Sequence, residues 1–229
     1  MLRLGLALRP MADGKKTMEA AASALCKHLY DELVDGDGNR ACSLVRFYKT
    51  HTFDDLPLEL QRFAANSMAP LTPRGDTNCL TLLGTAGDEA AWNSRTRSRG
   101  HQAIPLASAE VVEGAPMIAQ LIKEFGMDVR EVLRPGEKVV RDLQGRNYGV
   151  FYVPVAQGSP YIPAQSDFVM KYGVQSVLGF GGTLASGDLY AVILFSKAQI
   201  PEKTTEQFRR LAADIRVILS RYQGSGVFS

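Results

Sequence analysis

Apolar residues recur along this chain in two rhythms, and each rhythm marks a type of element. Met18, Ala22, Leu25, Leu29 and Leu33 fall three and four positions apart, which lines them up on one side of an α-helix. The spacing predicts a helix over 13–35, capped by Asp13 and stopped by the turn Asp35-Gly36-Asp37-Gly38. A second stripe, Phe208, Leu211, Ala212, Ile215, Ile218, Leu219 and Tyr222, predicts a closing helix. Thr204 and Gln207 stand at capping-box spacing before it. Stretches rich in β-branched and aromatic residues predict strands at 41–48, 77–83, 148–153, 174–180 and 189–195. The last is apolar almost without a break, so both its faces are covered and it is central. Residues 185–188 carry a glycine and join it to the preceding strand as a hairpin.

Elsewhere the pattern is less regular. Asp54 or Asp55 caps a helix with Pro57 in its first turn, running to about 68. Pro70, Pro73 and Gly75 end it. Residues 85–145 change character, with a basic run, a helix over 108–125, a shorter one over 128–133 and a break at Arg134-Pro135-Gly136. This stretch lacks the composition of a linker and reads as a helical insertion lying over one sheet face, within a single domain spanning 1–229. Leu2, Leu4, Leu6 and Leu8 suit either an extra edge strand or further contacts to the first helix. The fold class that follows is α+β: a central antiparallel sheet, terminal helices on one face and the insertion over the other.

Composition narrows the function more than it identifies it. A net charge of +2 argues against nucleic acid or an anionic membrane as partner. The chain has three cysteines, Cys26, Cys42 and Cys79, with no C-x-x-C, which fits a reducing compartment. The apolar stretch at 4–8 is too short for a secretory signal, and no run is long enough to cross a membrane as a helix. The expectation is a soluble, cytoplasmic protein.

The segment Tyr172-Gly173-Val174-Gln175-Ser176-Val177-Leu178-Gly179, the hairpin, then Gly187-Asp188-Leu189-Tyr190-Ala191-Val192-Ile193-Leu194-Phe195 and the final helix resemble the closing part of GAF sensory domains. The first helix and the strand at 41–48 fit the beginning of that family. The resemblance implies the scaffold and a sensing role, without naming a ligand. Bilin-binding members carry a cysteine beside a histidine in a loop, which none of the cysteines here has. The Asn-Lys-x-Asp type pattern of members that bind cyclic nucleotides is missing. Members that reduce free methionine sulfoxide need several cysteines in the insertion, and residues 85–170 contain none.

Two groups of residues are candidates for recognition. Arg95, Arg97 and Arg99 alternate before His101, with Trp92 close by. Guanidinium forks in such an array suit a carboxylate or phosphate, and an indole stacks on planar ligands. The same run suits a solvated basic loop, or pairing with Glu110 and Glu113. Tyr148, Phe151 and Tyr152, with Tyr161 and Phe168, suit the lining of a small-molecule pocket between sheet and insertion, and equally ordinary packing. Alternation places Tyr148 and Tyr152 on one face with Val150, and Phe151 on the other.

The three histidines, His28, His51 and His101, show no metal-ligand spacing, so no metal is expected. Cys79 sits in an apolar strand and reads as a buried structural thiol. No nucleophile elbow or phosphate loop is present, and Gly179-Phe180-Gly181-Gly182 reads as a set of bend or bulge positions. No catalytic residue and no cofactor can be named. The expected function is a sensory or regulatory module for a small molecule or a partner, acting as a homodimer through its terminal helices or on a signalling protein. The alternative is an enzyme on the same scaffold, using Arg95–His101 against a small anion.

Overall fold

The computed structural model describes residues 2–133, 148–222 and 226–229. Its strands are β1 (Cys42–Thr52), β2 (Asn78–Gly87), β3 (Ala103–Pro105), β4 (Tyr148–Val153), β5 (Ser176–Thr183) and β6 (Leu189–Ser196). They form one sheet in the order β3-β2-β1-β6-β5-β4, antiparallel throughout. The apolar strand β6 lies inside it, between β1 and β5, and is buried along its whole length. That position explains its composition, since a strand covered on both faces needs apolar residues at every position.

Helices cover the two faces unequally. On one side lie α1 (Leu2–Ala12), α2 (Met18–Glu32) and α7 (Thr205–Ser220). Leu25, Leu29, Phe208, Ile215 and Leu219 from them meet Phe47, Phe180 and Tyr190 of the sheet in one core. On the other side lie α4 (Ala109–Glu113), α5 (Pro116–Glu124) and α6 (Val129–Leu133). Their Val112, Leu121, Ile122 and Val132 pack with Leu82, Phe151 and Ile193 in a second core. A smaller cluster gathers Leu60 and Ala64 of α3 (Leu58–Met68) with Cys79 and Ala103. This is the layered arrangement expected from the pattern: antiparallel sheet, terminal helices on one face, helical insertion on the other.

Several details differ from expectation. The helix predicted from Asp13 starts later, because Thr17 caps it by accepting from the Ala20 amide at 3.1 Å. The leading leucines form their own helix, α1, which carries Leu8 and Ala12 into the core beneath α2 and α7. The capping box at Thr204 does not form. A 3-10 turn over Glu202–Thr204 already leads into α7, and the Thr204 hydroxyl donates back to the Pro201 carbonyl at 2.7 Å. The helix predicted over 108–125 is two helices, broken at Ala115, which is not helical because Pro116 follows it.

The stretch over 85–145 is not wholly an inserted helical layer. β2 continues to Gly87, and β3 adds an edge strand before the helices begin. Its expected break at Arg134-Pro135-Gly136 and its end near 145 lie outside the described residues. The glycines of β5 are not bulges, since that strand pairs with both neighbours in unbroken register. A Cβ on Gly181 would stand 2.1 Å from the Tyr190 carbonyl oxygen and 2.9 Å from the Phe125 ring, so close packing explains the glycine. The register shifts fall instead in β1, between Phe47 and Tyr48 and between Cys42 and Leu44.

Candidate functional site

β4 ends the sheet order, and its alternation sends side chains to both layers. Tyr148, Val150 and Tyr152 pack toward the terminal helices, whereas Phe151 and Val153 pack toward the insertion. Helix α5 comes so near this strand that a Cβ on Gly149 would lie 2.3 Å from the Glu124 carbonyl oxygen. A groove of about 310 Å³ straddles β4 here. Gln120 and Glu124 of α5 form one wall, and Val150, Phe151, Tyr152 and Tyr161 form the floor. Glu202, Thr205 and Arg209, at the entry to α7, form the opposite wall.

The groove is held by specific contacts. Tyr161 stands edge-on to Phe151, with ring centroids 5.5 Å apart. The Tyr152 hydroxyl donates to the Ile200 carbonyl, and Ser176 accepts from the Ile200 amide at 3.2 Å. Both bonds fix the segment that leads into α7. Burial, and then the carboxylate of Glu202, raise the Tyr152 phenol above its ordinary range, so it stays a neutral donor at physiological pH. Two carboxylates, one guanidinium and aromatic surface therefore converge on a space of small-molecule size.

The other candidate residues lie apart from this groove. Tyr148 lies under Arg216 of α7, which donates to its hydroxyl at 3.3 Å. Trp92 packs with Tyr172 and Phe168, at centroid distances of 4.6 and 5.8 Å. Arg95 is buried and pairs with Glu19 of α2 at 2.8 Å and Glu59 of α3 at 3.1 Å. Its side chain is committed to these two carboxylates rather than to Glu110 or Glu113. Arg97 and Arg99 are exposed. His101 is exposed too, with a left-handed φ of 55°. Partial burial of its ring, and then the charge of Arg46, hold its imidazole below the usual histidine range.

Polar residues that the sequence pattern did not single out lie buried in the sheet. Arg46, on the insertion face of β1, donates to the Tyr48 hydroxyl at 3.1 Å and the Ser98 hydroxyl at 3.0 Å. Lys49 pairs with Asp188 at 2.9 Å. His51 is buried, and among the described residues neither ring nitrogen has a well-aligned hydrogen-bond partner; burial and then Lys49 push its pKa down to about 3. The signal for these was available, since a charged or imidazole side chain inside an apolar strand is uncommon. Glu202, Thr205 and Arg209 gave no such signal, because polar residues on an amphipathic helix read as its solvent side. All three thiols are buried, Cys26 and Cys42 in the terminal-helix core and Cys79 beside α3. Burial raises all three, Cys42 and Cys79 to about 12, which disfavours the reactive thiolate. Among the described residues, no group of acidic, histidine and cysteine side chains is placed to hold a metal, and no helix is long and apolar enough to cross a membrane.

Element order and the two-sided placement of helices agree with the resemblance carried by Tyr172–Tyr222. The fold is GAF-like. No known protein family matches the sequence, and no curated protein does. Solved structures with a similar course include a free methionine-R-sulfoxide reductase from Neisseria meningitidis in complex with its substrate. It has 10% identity and a TM-score of 0.49, covering 96% of this chain and 89% of that one. The GAF domain of an Acinetobacter phosphoenolpyruvate-protein phosphotransferase has 10% identity and a TM-score of 0.49, covering 100% of this chain and 97% of that one. The phycoerythrobilin-bound GAF domain of a cyanobacterial phytochrome has 12% identity and a TM-score of 0.41, covering 96% and 95%. At these values none of them brings a ligand, a reaction or a site residue to this chain.

Proposed function

We propose that this chain is a sensory or regulatory domain of the GAF type, which takes a small molecule into the β4 groove and passes the bound state to α7. The observation that carries this reading is the composition of the groove wall. Glu202, Thr205 and Arg209 belong to the entry of α7 itself, so a ligand there touches the transmitting element directly. Tyr152 supports the coupling, because one side chain both lines the groove and holds the Ile200 carbonyl. Output then passes through the helical layer of α1, α2 and α7 to a second copy or to a signalling protein. Met11 and Val217 are exposed apolar residues on that layer. The reading as an enzyme acting through Arg95–His101 is less well supported, since Arg95 is committed to Glu19 and Glu59.

Native mass spectrometry of the purified chain tests this proposal. The expected result is an adduct of small-molecule mass on the 25.0 kDa chain that dissociates on collisional activation and is lost in Tyr152→Ala. Bare chain alone, from wild type purified under gentle conditions, would sink the small-molecule reading. Light scattering at high concentration tests the pairing of terminal helices, and a strict monomer would remove the second copy as the partner.

A further inference from the structure

We infer that Arg46 anchors a second site, separate from the β4 groove, for a small oxyanion: a carboxylate or phosphate group covered by the 94–101 loop. Arg46 is 8% exposed, and an arginine side chain carries a permanent positive charge. Buried charges in proteins are ordinarily paired, because an isolated one loses its hydration without compensation. Among the described residues, both bonds that Arg46 makes go to neutral hydroxyls, those of Tyr48 and Ser98, and Nε has no partner. No carboxylate pairs with it among the described residues. The acidic residues at the end of β2 are engaged elsewhere, Asp88 by Tyr30 and Lys197 and Glu89 by Tyr172.

A second unpartnered group stands in register with it. Thr85 lies directly across from Arg46 on β2, on the same sheet face, and its buried hydroxyl is also without a partner. A guanidinium Nε–H and a threonine hydroxyl are both donors to an oxyanion. The cover also departs from relaxed geometry, since His101 holds a left-handed φ of 55° after Gly100 at 77°. Strain of this kind in a non-glycine residue collects where a loop is shaped for a ligand. Arg97 and Arg99 are exposed on the same loop and add positive potential at its surface. One oxyanion on Arg46 would neutralise the buried cation and satisfy Thr85 together.

The site is read most directly from arginine Nε–Hε resonances of the full chain, at constant ionic strength set with chloride, during titration with sodium acetate and then sodium phosphate. One resonance, absent from Arg46→Met, is expected to shift saturably with at least one of the two anions. Which anion does so distinguishes a carboxylate from a phosphate site. Thr85→Val keeps the side-chain shape and is expected to weaken the response about tenfold. Tyr152→Ala leaves it unchanged, which separates this site from the groove. The anion also raises the thermal midpoint of wild type but not that of Arg46→Met. A resonance indifferent to both anions overturns the proposal, as does an equal rise in midpoint for wild type and Arg46→Met.

Discussion

On the terminal-helix side of the sheet the buried charges find partners within the fold, and on the insertion side the main one does not. Lys49 is held by Asp188, and Arg95 by Glu19 from the first turn of α2. Around them Phe47, Phe180, Tyr190 and Ile215 pack without exposure. Across the sheet, Arg46 meets only neutral hydroxyls among the described residues, and at the β4 edge, where the two faces meet, the groove gathers Glu124, Glu202 and Arg209 around aromatic residues. A face that resolves its charges internally is a scaffold. A face that leaves charge unresolved, and an edge that leaves concave space open, are suited to recognition, and α7 joins scaffold and edge through its buried stripe and the polar residues at its entry.

Stability measurements sharpen this contrast, beginning with the scaffold. Phe180 is fully buried and tilted against Phe208 of α7, with ring centroids 5.4 Å apart. Phe180→Ala is expected to cost about 3–5 kcal/mol in urea unfolding, from lost transfer energy and the cavity left behind. A cost under about 1 kcal/mol would show that α7 is not firmly seated there. Glu19→Gln removes the more buried carboxylate of Arg95, leaving Glu59, which is mostly exposed. A loss of about 3 kcal/mol is expected, because the guanidinium stays buried with poorer compensation. An unchanged urea midpoint would make the pair incidental.

His51 gives a pH dependence with a definite sign. Its folded pKa lies near 3, below the ordinary 6.5, so between those values the unfolded chain binds a proton that the native ring refuses. Stability therefore falls as pH drops through about 6.5 toward 3, by up to about 1.4 kcal/mol per pH unit. The difference between wild type and His51→Phe in urea midpoint against pH isolates this contribution, and parallel curves would contradict it. Arg46→Met is expected to be the mildest of these changes in the absence of anions, within about 1 kcal/mol of wild type or more stable. A loss as large as that of Glu19→Gln would mean that Arg46 serves the fold, and the contrast between the faces would fail.

The scaffold was legible in the sequence because its elements repeat a simple period. The stripes of α2 and α7 and the unbroken apolar run of β6 needed no tertiary information. β3 was not legible, since three residues containing Pro105 carry no period. The division at Ala115 was legible in Pro116, but the apolar spacing on either side of it suggested one continuous helix. Within the candidate sites, Phe151 and Tyr152 were marked by strand alternation. Glu202 and Arg209 were not, because their role depends on where α7 docks beside β4. Arg46 was visible as a charge within Leu44-Val45-Arg46-Phe47-Tyr48, but that no carboxylate pairs with it among the described residues emerges only when strands distant in sequence are brought together.

The central claim is that occupancy of the β4 groove is felt at the entry to α7. Hydrogen exchange read by mass spectrometry tests it most directly, comparing the chain as purified with the same chain unfolded, dialysed free of small molecules and refolded. Greater exchange after stripping is expected in peptides covering 200–209 and 116–124, with 58–68 of α3 unchanged. Identical exchange at 200–209 in the two preparations, from a chain whose small molecule has been shown to leave, would contradict it.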